Sequence, residues 1–130
     1  MSRGYGQVQW GCLKAIADAE HDREPTPTTY DIAADIYHVE TDDDGYRYVS
    51  AAQHVAVKRA LEGLQRQGKV IGLDRLFCRN DHGYDGRTER GLCWMSERGA
   101  RQWIRRQGPK RAVLVKTFKA KAAAIGMTLD

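Results

Sequence analysis

One stretch of the chain, residues 50–70 ("SAAQHVAVKRALEGLQRQGKV"), gathers the side chains with the clearest chemistry. It contains Gln53, His54, Lys58, Arg59 and Arg66. Lysine and arginine neutralise phosphates, and glutamine and arginine carry paired hydrogen-bonding groups that match base edges. The pattern is typical of a surface that binds a polyanion, although an ordinary solvated helix face would carry similar residues.

The formal charge of the chain is divided unevenly along its length. Residues 1–50 hold 4 Lys/Arg and 10 Asp/Glu, a net of −6, whereas residues 51–130 hold 17 Lys/Arg and 7 Asp/Glu, a net of +10. If the two halves occupy different faces, the molecule has an acidic and a basic region. A basic region is the electrostatic footprint of a polyanion-binding protein, and the alternative is a solvated surface of uneven charge.

A helix is predicted to position the side chains of the 50–70 stretch. Ser50 is a good N-cap, and Gly68 suits the left-handed position after a helix end. The predicted buried stripe, at spacings of i, i+3, i+4 and i+7, comprises Val57, Ala60, Leu61 and Leu64. Because this stripe is narrow, the remaining face of the helix is free.

Two helices are predicted before this one. The first covers Val8–Ala19, and the second runs from Thr28 or Thr29 to about Tyr37. A polar link, "HVETDDDGYRYV", follows. Its "DDDG" lacks the ligand and glycine spacing of a calcium-binding loop, so we interpret it as a turn.

A β-hairpin is predicted after the third helix, from the short β-prone runs "LFCR" and "LCWM". Asp85-Gly86 is the favoured pair for a type I′ turn. A turn there places Cys78 opposite Cys93 and Phe77 opposite Trp94. It also places Asp81 opposite Arg90 and His82 opposite Glu89.

Two more helices are predicted after the hairpin. Ser96 caps the fourth, "ERGARQWIRRQ", which stops at Gly108-Pro109. The tail then resumes helical spacing with Leu114, Phe118, Ala122, Ile125 and Leu129. Its apolar face would fold back on the first helix or pair with a second copy.

This order of elements resembles the winged helix-turn-helix superfamily. The resemblance rests on "TTYDIAADIY" as support helix, "VSAAQHVAVKRALEGLQRQGKV" as recognition helix, "FCRNDHGYDGRTERGLCWM" as wing and "SERGARQWI" as the next helix. It is greatest to small MarR-type or actinobacterial and phage regulators. It implies a mainly α fold with a small β-hairpin: a winged helix-turn-helix domain at 1–107 and an additional C-terminal helix at 108–130, a candidate dimerisation element. The long acidic link departs from the tight turn usual in the family.

The resemblance also implies which residues contact DNA. The recognition helix would enter the major groove, and the wing would lie along the backbone or reach the minor groove. The implied DNA-binding residues are Ser50, Gln53, His54, Lys58, Arg59 and Arg66 on the helix, with Arg79, His82, Arg87 and Arg90 on the wing. As alternatives, His54 would be a surface or partly packed histidine, and Arg90 would only pair with Asp81.

We therefore expect a sequence-specific double-stranded DNA-binding protein, a transcription regulator or a phage or plasmid control protein, acting as a homodimer. One rival is a protein-interaction adaptor or inhibitor that uses the acidic N-terminal half. Another is a nucleic-acid binder without sequence preference.

Other classes find little support in the sequence. It lacks G-x-S-x-G, Walker and H-E-x-x-H motifs, so we expect no enzyme, cofactor or small-molecule ligand. Cys78, His82 and Cys93 are read as packing residues, with a zinc site or a redox disulfide as alternatives. There is no apolar signal core and no apolar run of roughly 18–20 residues, so a cytoplasmic protein of one domain is expected.

Overall fold

The computed structural model describes residues 6–40, 42–43, 47–79 and 87–129, and the side chains of 75–79 and 87–90 are outside this description. The described part is mainly helical, with five α-helices and one two-stranded antiparallel hairpin, as the sequence predicted. In chain order the elements are α1 (Gln7–His21), α2 (Thr29–Ile36), α3 (Ala51–Arg66), β1 (Ile71–Arg79), β2 (Arg87–Met95), α4 (Glu97–Arg105), a 3₁₀ turn (Pro109–Arg111) and α5 (Ala112–Ala124).

Side-chain caps start three of the helices where the sequence predicted them. Thr28 Oγ1 accepts a hydrogen bond from Asp31 N at 3.1 Å, and the Asp31 carboxylate accepts one from Thr28 N at 3.0 Å. Ser50 caps α3, and Ser96 caps α4 by accepting from Gly99 N at 3.1 Å. Such caps satisfy amide groups that have no partner within the helix, so these starts are locally encoded.

The first hydrophobic core lies between α1, α2 and α3. Its fully buried members include Ile16, Ile32, Leu61 and Leu64, together with the Cys12 thiol. Trp94 of β2 completes this core, and its indole Nε1 donates to Thr29 Oγ1 at 2.8 Å. The hairpin is therefore fixed to the start of α2 and is not an isolated flap.

The register of the hairpin differs from the predicted one. Ile71 pairs with Met95, Leu73 with Cys93, Leu76 with Arg90, Phe77 with Glu89, Cys78 with Thr88, and Arg79 with Arg87. The predicted pairings of Cys78 with Cys93 and Phe77 with Trp94 were therefore wrong, as were those of Asp81 with Arg90 and His82 with Glu89. A two-residue turn at Asp85-Gly86 would pair position 84 with Arg87, which pairs with Arg79 instead. Residues 80–86 themselves lie outside the described part.

The observed register follows from the packing of Trp94. Trp94 pairs with Gly72, where an added Cβ would lie only 3.2 Å from the indole ring, so the ring fills the space that a side chain would need. The backbone of β2 also bonds to the segment before α2, with Trp94 N donating to Pro27 O at 2.9 Å. Burial of one large ring outweighs the cross-strand charge pairs that suggested the other register.

A second hydrophobic core joins the hairpin to α4 and α5. It contains Ile71, Leu73, Met95, Ala100, Phe118, Ala122, Met127 and Leu129. The rings of Trp103 and Phe118 meet edge to face with centroids 5.1 Å apart. α5 thus folds back on the hairpin and α4, not on α1. It is shorter than its apolar spacing suggested, because it ends at Ala124 and Leu129 is buried beyond the helix.

Two polar contacts hold the C-terminal helices in place. Lys121 donates to the Gly72 carbonyl, and burial lowers the pKa of its ammonium, opposed by the charge of Asp74. The Glu20 carboxylate of α1 accepts from Ser96 N at 3.0 Å and from Ser96 Oγ at 2.6 Å. An added Cβ at Gly99 would lie 2.1 Å from Glu20 Oε2, so only glycine fits beside this contact.

In the ranges that the structure describes, no helix has the length and apolar content needed to cross a bilayer.

Two glycines with positive φ provide a matched test of the contact between α5 and the end of α3. Gly68 (φ +73) would place a Cβ 2.7 Å from the Ile125 carbonyl, whereas Gly126 (φ +83) has nothing within 4 Å. Both alanine substitutions place a Cβ in the left-handed region, which costs about 1 kcal/mol of unfolding free energy, but only Gly68→Ala adds a clash with the backbone. We expect Gly68→Ala to lose at least about 1 kcal/mol more unfolding free energy than Gly126→Ala in urea melts. Equal losses would contradict the contact.

Candidate nucleic-acid interface

Helix α3 has one packed face and one exposed face. Val57, Leu61 and Leu64 have no exposed surface, and Ala60 is buried at the same side, as predicted. The exposed residues of the helix are Ala51, Ala52, Val55, Lys58, Arg59 and Arg66. The helix therefore has the two-sided character that insertion into a groove requires.

The basic residues of α3 stand on its exposed face. Among the described residues, no carboxylate forms an ion pair with Lys58, Arg59 or Arg66. Arg59 and Arg66 are seven residues apart, which is two turns or about 10 Å along the helix. Glu62, half-buried, lies on the same side between them and lowers the local positive charge.

Ser50 and Gln53 are engaged with each other at the start of α3. Ser50 Oγ accepts from Gln53 N at 3.1 Å, and Gln53 Oε1 accepts from Ser50 N at 3.0 Å. This is a capping box with glutamine at its third helical position. A bidentate contact of Gln53 with adenine needs the same Oε1, so in this arrangement Gln53 has its amide NH₂ and one remaining lone pair of Oε1 for a ligand.

His54 is half-buried beside Tyr30 of α2, with the ring centroids 6.5 Å apart. The Tyr30 hydroxyl donates to the Arg47 carbonyl at 2.5 Å and accepts from Val49 N at 2.7 Å. His54 is therefore partly packed, which was one of the predicted alternatives to a base contact. Sequence reasoning missed the role of Tyr30, which ties α2 to the residues leading into α3.

The long link between α2 and α3 is anchored at its C-terminal end. The Arg47 guanidinium lies 3.7 Å from the Asp31 carboxylate and 3.8 Å from that of Asp35. Together with the Tyr30 hydrogen bonds, these ion pairs hold residues 47–49 against α2. The start of α3 is thus fixed relative to α2, although the link is longer than a tight turn.

Two exposed apolar side chains near the start of α3 were not predicted as site residues. Val55 is 43% exposed and Tyr48 is 58% exposed. With Ala51 and Ala52 they make the N-terminal half of the exposed face apolar, which suits contact with thymine methyl groups. The signal was present in the sequence, because Val55 falls off the buried stripe at helical spacing.

The structure describes the backbone positions of the three predicted hairpin arginines but not their side chains. Arg79 and Arg87 pair with each other at the last described position of the hairpin, and Arg90 lies opposite Leu76. The alternative in which Arg90 pairs with Asp81 across the strands does not fit this register. The side chains of Arg79, Arg87 and Arg90 are outside the described part, as is the whole of His82.

The zinc and disulfide alternatives for Cys78 and Cys93 do not fit the hairpin. Cys93 lies opposite Leu73, five residues from Cys78 along β1, which is about 17 Å in an extended strand. A disulfide needs Cα atoms within about 7 Å, and one zinc ion cannot bridge this separation. No cluster of three metal-ligating side chains occurs within the described ranges.

Comparison of the chain with protein-family models, with curated proteins and with solved structures gave no match.

Gln53 could act mainly as the partner of Ser50 in the capping box or mainly as a ligand-binding side chain, and stability measurements distinguish these two roles. We expect Ser50→Ala to lower the unfolding free energy by about 1 kcal/mol, because an amide of α3 loses its acceptor. Gln53→Glu keeps the box and adds a favourable charge at the helix start, so its stability should stay within about 0.5 kcal/mol of the wild type. Thermal and urea unfolding measure both. A large loss in Gln53→Glu would show that the box is not the main role of this side chain.

Burial raises the pKa of the Cys12 thiol to about 12, and Cys93 is 1% exposed. At pH 8 a thiol of that pKa is deprotonated in only about one molecule in 10⁴, and the thiolate is the reactive form. In a Cys78→Ser background we expect no reaction of the folded protein with Ellman's reagent over an hour, and two thiols after guanidinium is added. Rapid reaction of a folded thiol would contradict the observed core.

Proposed function

We propose that the protein is a sequence-specific double-stranded DNA-binding protein of the winged helix-turn-helix type, acting as a transcription regulator or a phage or plasmid control protein. The observation that carries the proposal is the exposed face of α3. This helix is capped at its start and packed on one side. Its other side has small apolar residues in the N-terminal half and cations in the C-terminal half.

The arrangement around α3 supports the same reading. α1 and α2 support α3, and the hairpin follows directly after a single turn. The backbone bridge between Thr28 and Cys93 adds the segment before α2 to the hairpin edge. A small sheet beside three helices is the organisation that a winged helix uses to place one helix in the major groove, which is about 12 Å wide.

The proposed roles follow from chemistry at each position. Lys58, Arg59 and Arg66 bind phosphates, or guanine where an arginine reaches a base edge. Val55 and the alanines contact thymine methyl groups. Gln53 and His54 stand at the edge of this surface, since both already have contacts within the chain. The hairpin arginines and His82 contact backbone phosphates or the minor groove.

The support for a homodimer is weaker than the sequence suggested. Of the apolar residues of the C-terminal segment that would have faced a second copy, Phe118, Ala122 and Leu129 are buried within one chain, Ile125 is half-buried and Leu114 is 37% exposed. A palindromic site would require another dimer contact.

A mobility-shift titration across a salt series tests the proposal, after selection of bound duplexes from a random pool. We expect binding to the selected duplex to weaken steeply with salt, since several phosphates release counterions. Lys58→Glu/Arg59→Glu should weaken it by at least about 10-fold. The control Lys14→Gln/Arg23→Gln alters exposed cations of the acidic half and should have little effect. No duplex retained at low salt would refute the proposal.

A second candidate is a protein-interaction adaptor. It is favoured by a groove between α1 and α2 that carries the carboxylates of Asp18, Asp22, Glu24 and Asp35. A basic partner would suit this groove, and activity of the Lys58→Glu/Arg59→Glu variant equal to wild type in cells would favour it. Equal affinity of the wild type for selected and random duplexes would instead favour a nucleic-acid binder without sequence preference.

A further inference from the structure

Almost all of the excess positive charge lies beyond the hairpin. Residues 51–97 hold 8 Lys/Arg and 6 Asp/Glu, a net of only +2. Residues 98–129 hold 9 Lys/Arg and no Asp/Glu. The basic footprint of the chain is therefore centred on α4 and α5 and not on α3.

Four of these cations cluster where α4 turns into α5. Arg105 and Arg106 end α4, and Lys110 and Arg111 lie in the following 3₁₀ turn. All four side chains are exposed, and no carboxylate in the described ranges pairs with them. We call this set the basic corner. Lys116 and Lys119, also exposed, extend it along α5.

The basic corner is held on a packed scaffold. The side-chain amide of Gln107 donates to the Trp103 carbonyl at 2.7 Å, and Trp103 packs on Phe118. The six exposed cations have no ion pair with a carboxylate of the described ranges, so they repel one another, which costs stability unless an anion is bound. A surface of this kind is complementary to a regular array of phosphates.

We propose that the basic corner is a second phosphate-binding surface, which contacts the backbone of the same duplex that α3 reads. The inference rests on the proposed function for its duplex ligand. α3 and α5 belong to one packed unit, because the end of α3 touches the end of α5 where Gly68 meets the Ile125 carbonyl. The basic corner lies at the opposite end of α5, about 20 Å along the helix. The corner supplies affinity without sequence information, since phosphates are the same at every step.

Two other occupants fit the surface less well. A helix lying on a membrane buries a bulky apolar face along its length. Of the large apolar residues of α5, Phe118 is buried and Val115 is half-buried, and the exposed ones, Val113 (81%) and Leu114 (37%), lie together in its first turn. A second copy related by a two-fold axis would bring two sets of cations together, which is unfavourable.

Three double variants that each remove two positive charges test the inference. They are Arg106→Gln/Arg111→Gln at the corner, Lys58→Gln/Arg59→Gln on α3 and Lys14→Gln/Arg23→Gln as the control. Fluorescence anisotropy measures binding of the full chain to the selected duplex and to a random duplex. The salt concentration is varied from about 0.05 to about 0.5 M, because the slope of affinity against salt reports the number of phosphate contacts.

We expect the corner variant to bind both duplexes roughly 10- to 30-fold more weakly at about 0.15 M salt, with the slope of log affinity against log salt reduced by about 2. The ratio between the two duplexes should not change. The α3 variant should weaken binding through the loss of Lys58 and should also lower that ratio through the loss of Arg59, one of the arginines proposed to reach guanine. The control should match the wild type.

The outcomes separate the two proposals. A corner variant with wild-type affinity and slope overturns the basic corner and leaves the α3 proposal standing. If the corner variant weakens binding while the α3 variant changes neither affinity nor ratio, the corner stands and sequence reading by α3 fails. If the wild type binds no duplex, both fail. Corner-dependent binding to phosphatidylserine vesicles, or corner-dependent dimerisation in sedimentation, with unchanged DNA binding would also overturn the inference.

Discussion

The burial of Trp94 is the interaction on which the arrangement of the molecule depends. Its indole lies in the core of the three N-terminal helices, its Nε1 donates to Thr29, and its backbone amide donates to Pro27. The ring also occupies the space above Gly72 in the neighbouring strand. One residue thus fixes the hairpin register and joins the hairpin to α2. It also orients β2 so that Met95 lies in the second core.

The position of α3 follows from contacts made by other elements. The buried stripe of the helix sets its rotation, while the capping box sets where it begins. Tyr30 and Arg47 fix the preceding residues against α2. These constraints leave one face of α3 exposed, and the cations on that face form no ion pairs within the described chain. The cost is that two polar residues at the helix start are used for capping.

The sequence predicted the features of the fold that are encoded locally. Ser50, Ser96 and Thr28 cap helices where expected, and the spacing of Val57, Leu61 and Leu64 identified the buried face of α3. The existence of the hairpin was predicted, but its register was not, because distant contacts of Trp94 decide it. The reciprocal bond of Ser50 and Gln53 follows a known S-x-x-Q pattern and was open to prediction. The anchoring of the link by Tyr30 was not, since no local spacing reports a contact across 17 or 19 residues.

The contact between Glu20 and Ser96 has a consequence for how the chain folds. It joins residues 76 positions apart, and it supplies the carboxylate at the start of α4. Bringing such distant segments together costs loop-closure entropy before any contact compensates for it. α4 carries the Glu97 carboxylate in its own first turn, and it gains the Glu20 carboxylate as well only when α1 and the end of the hairpin are brought together. A local loss of α1 would remove the acceptor of Ser96 N and Oγ, whereas the second core, which holds α4 and α5 on the hairpin, contains no residue of α1. The acidic and basic halves are thus coupled through Glu20 and Ser96 as well as through Trp94.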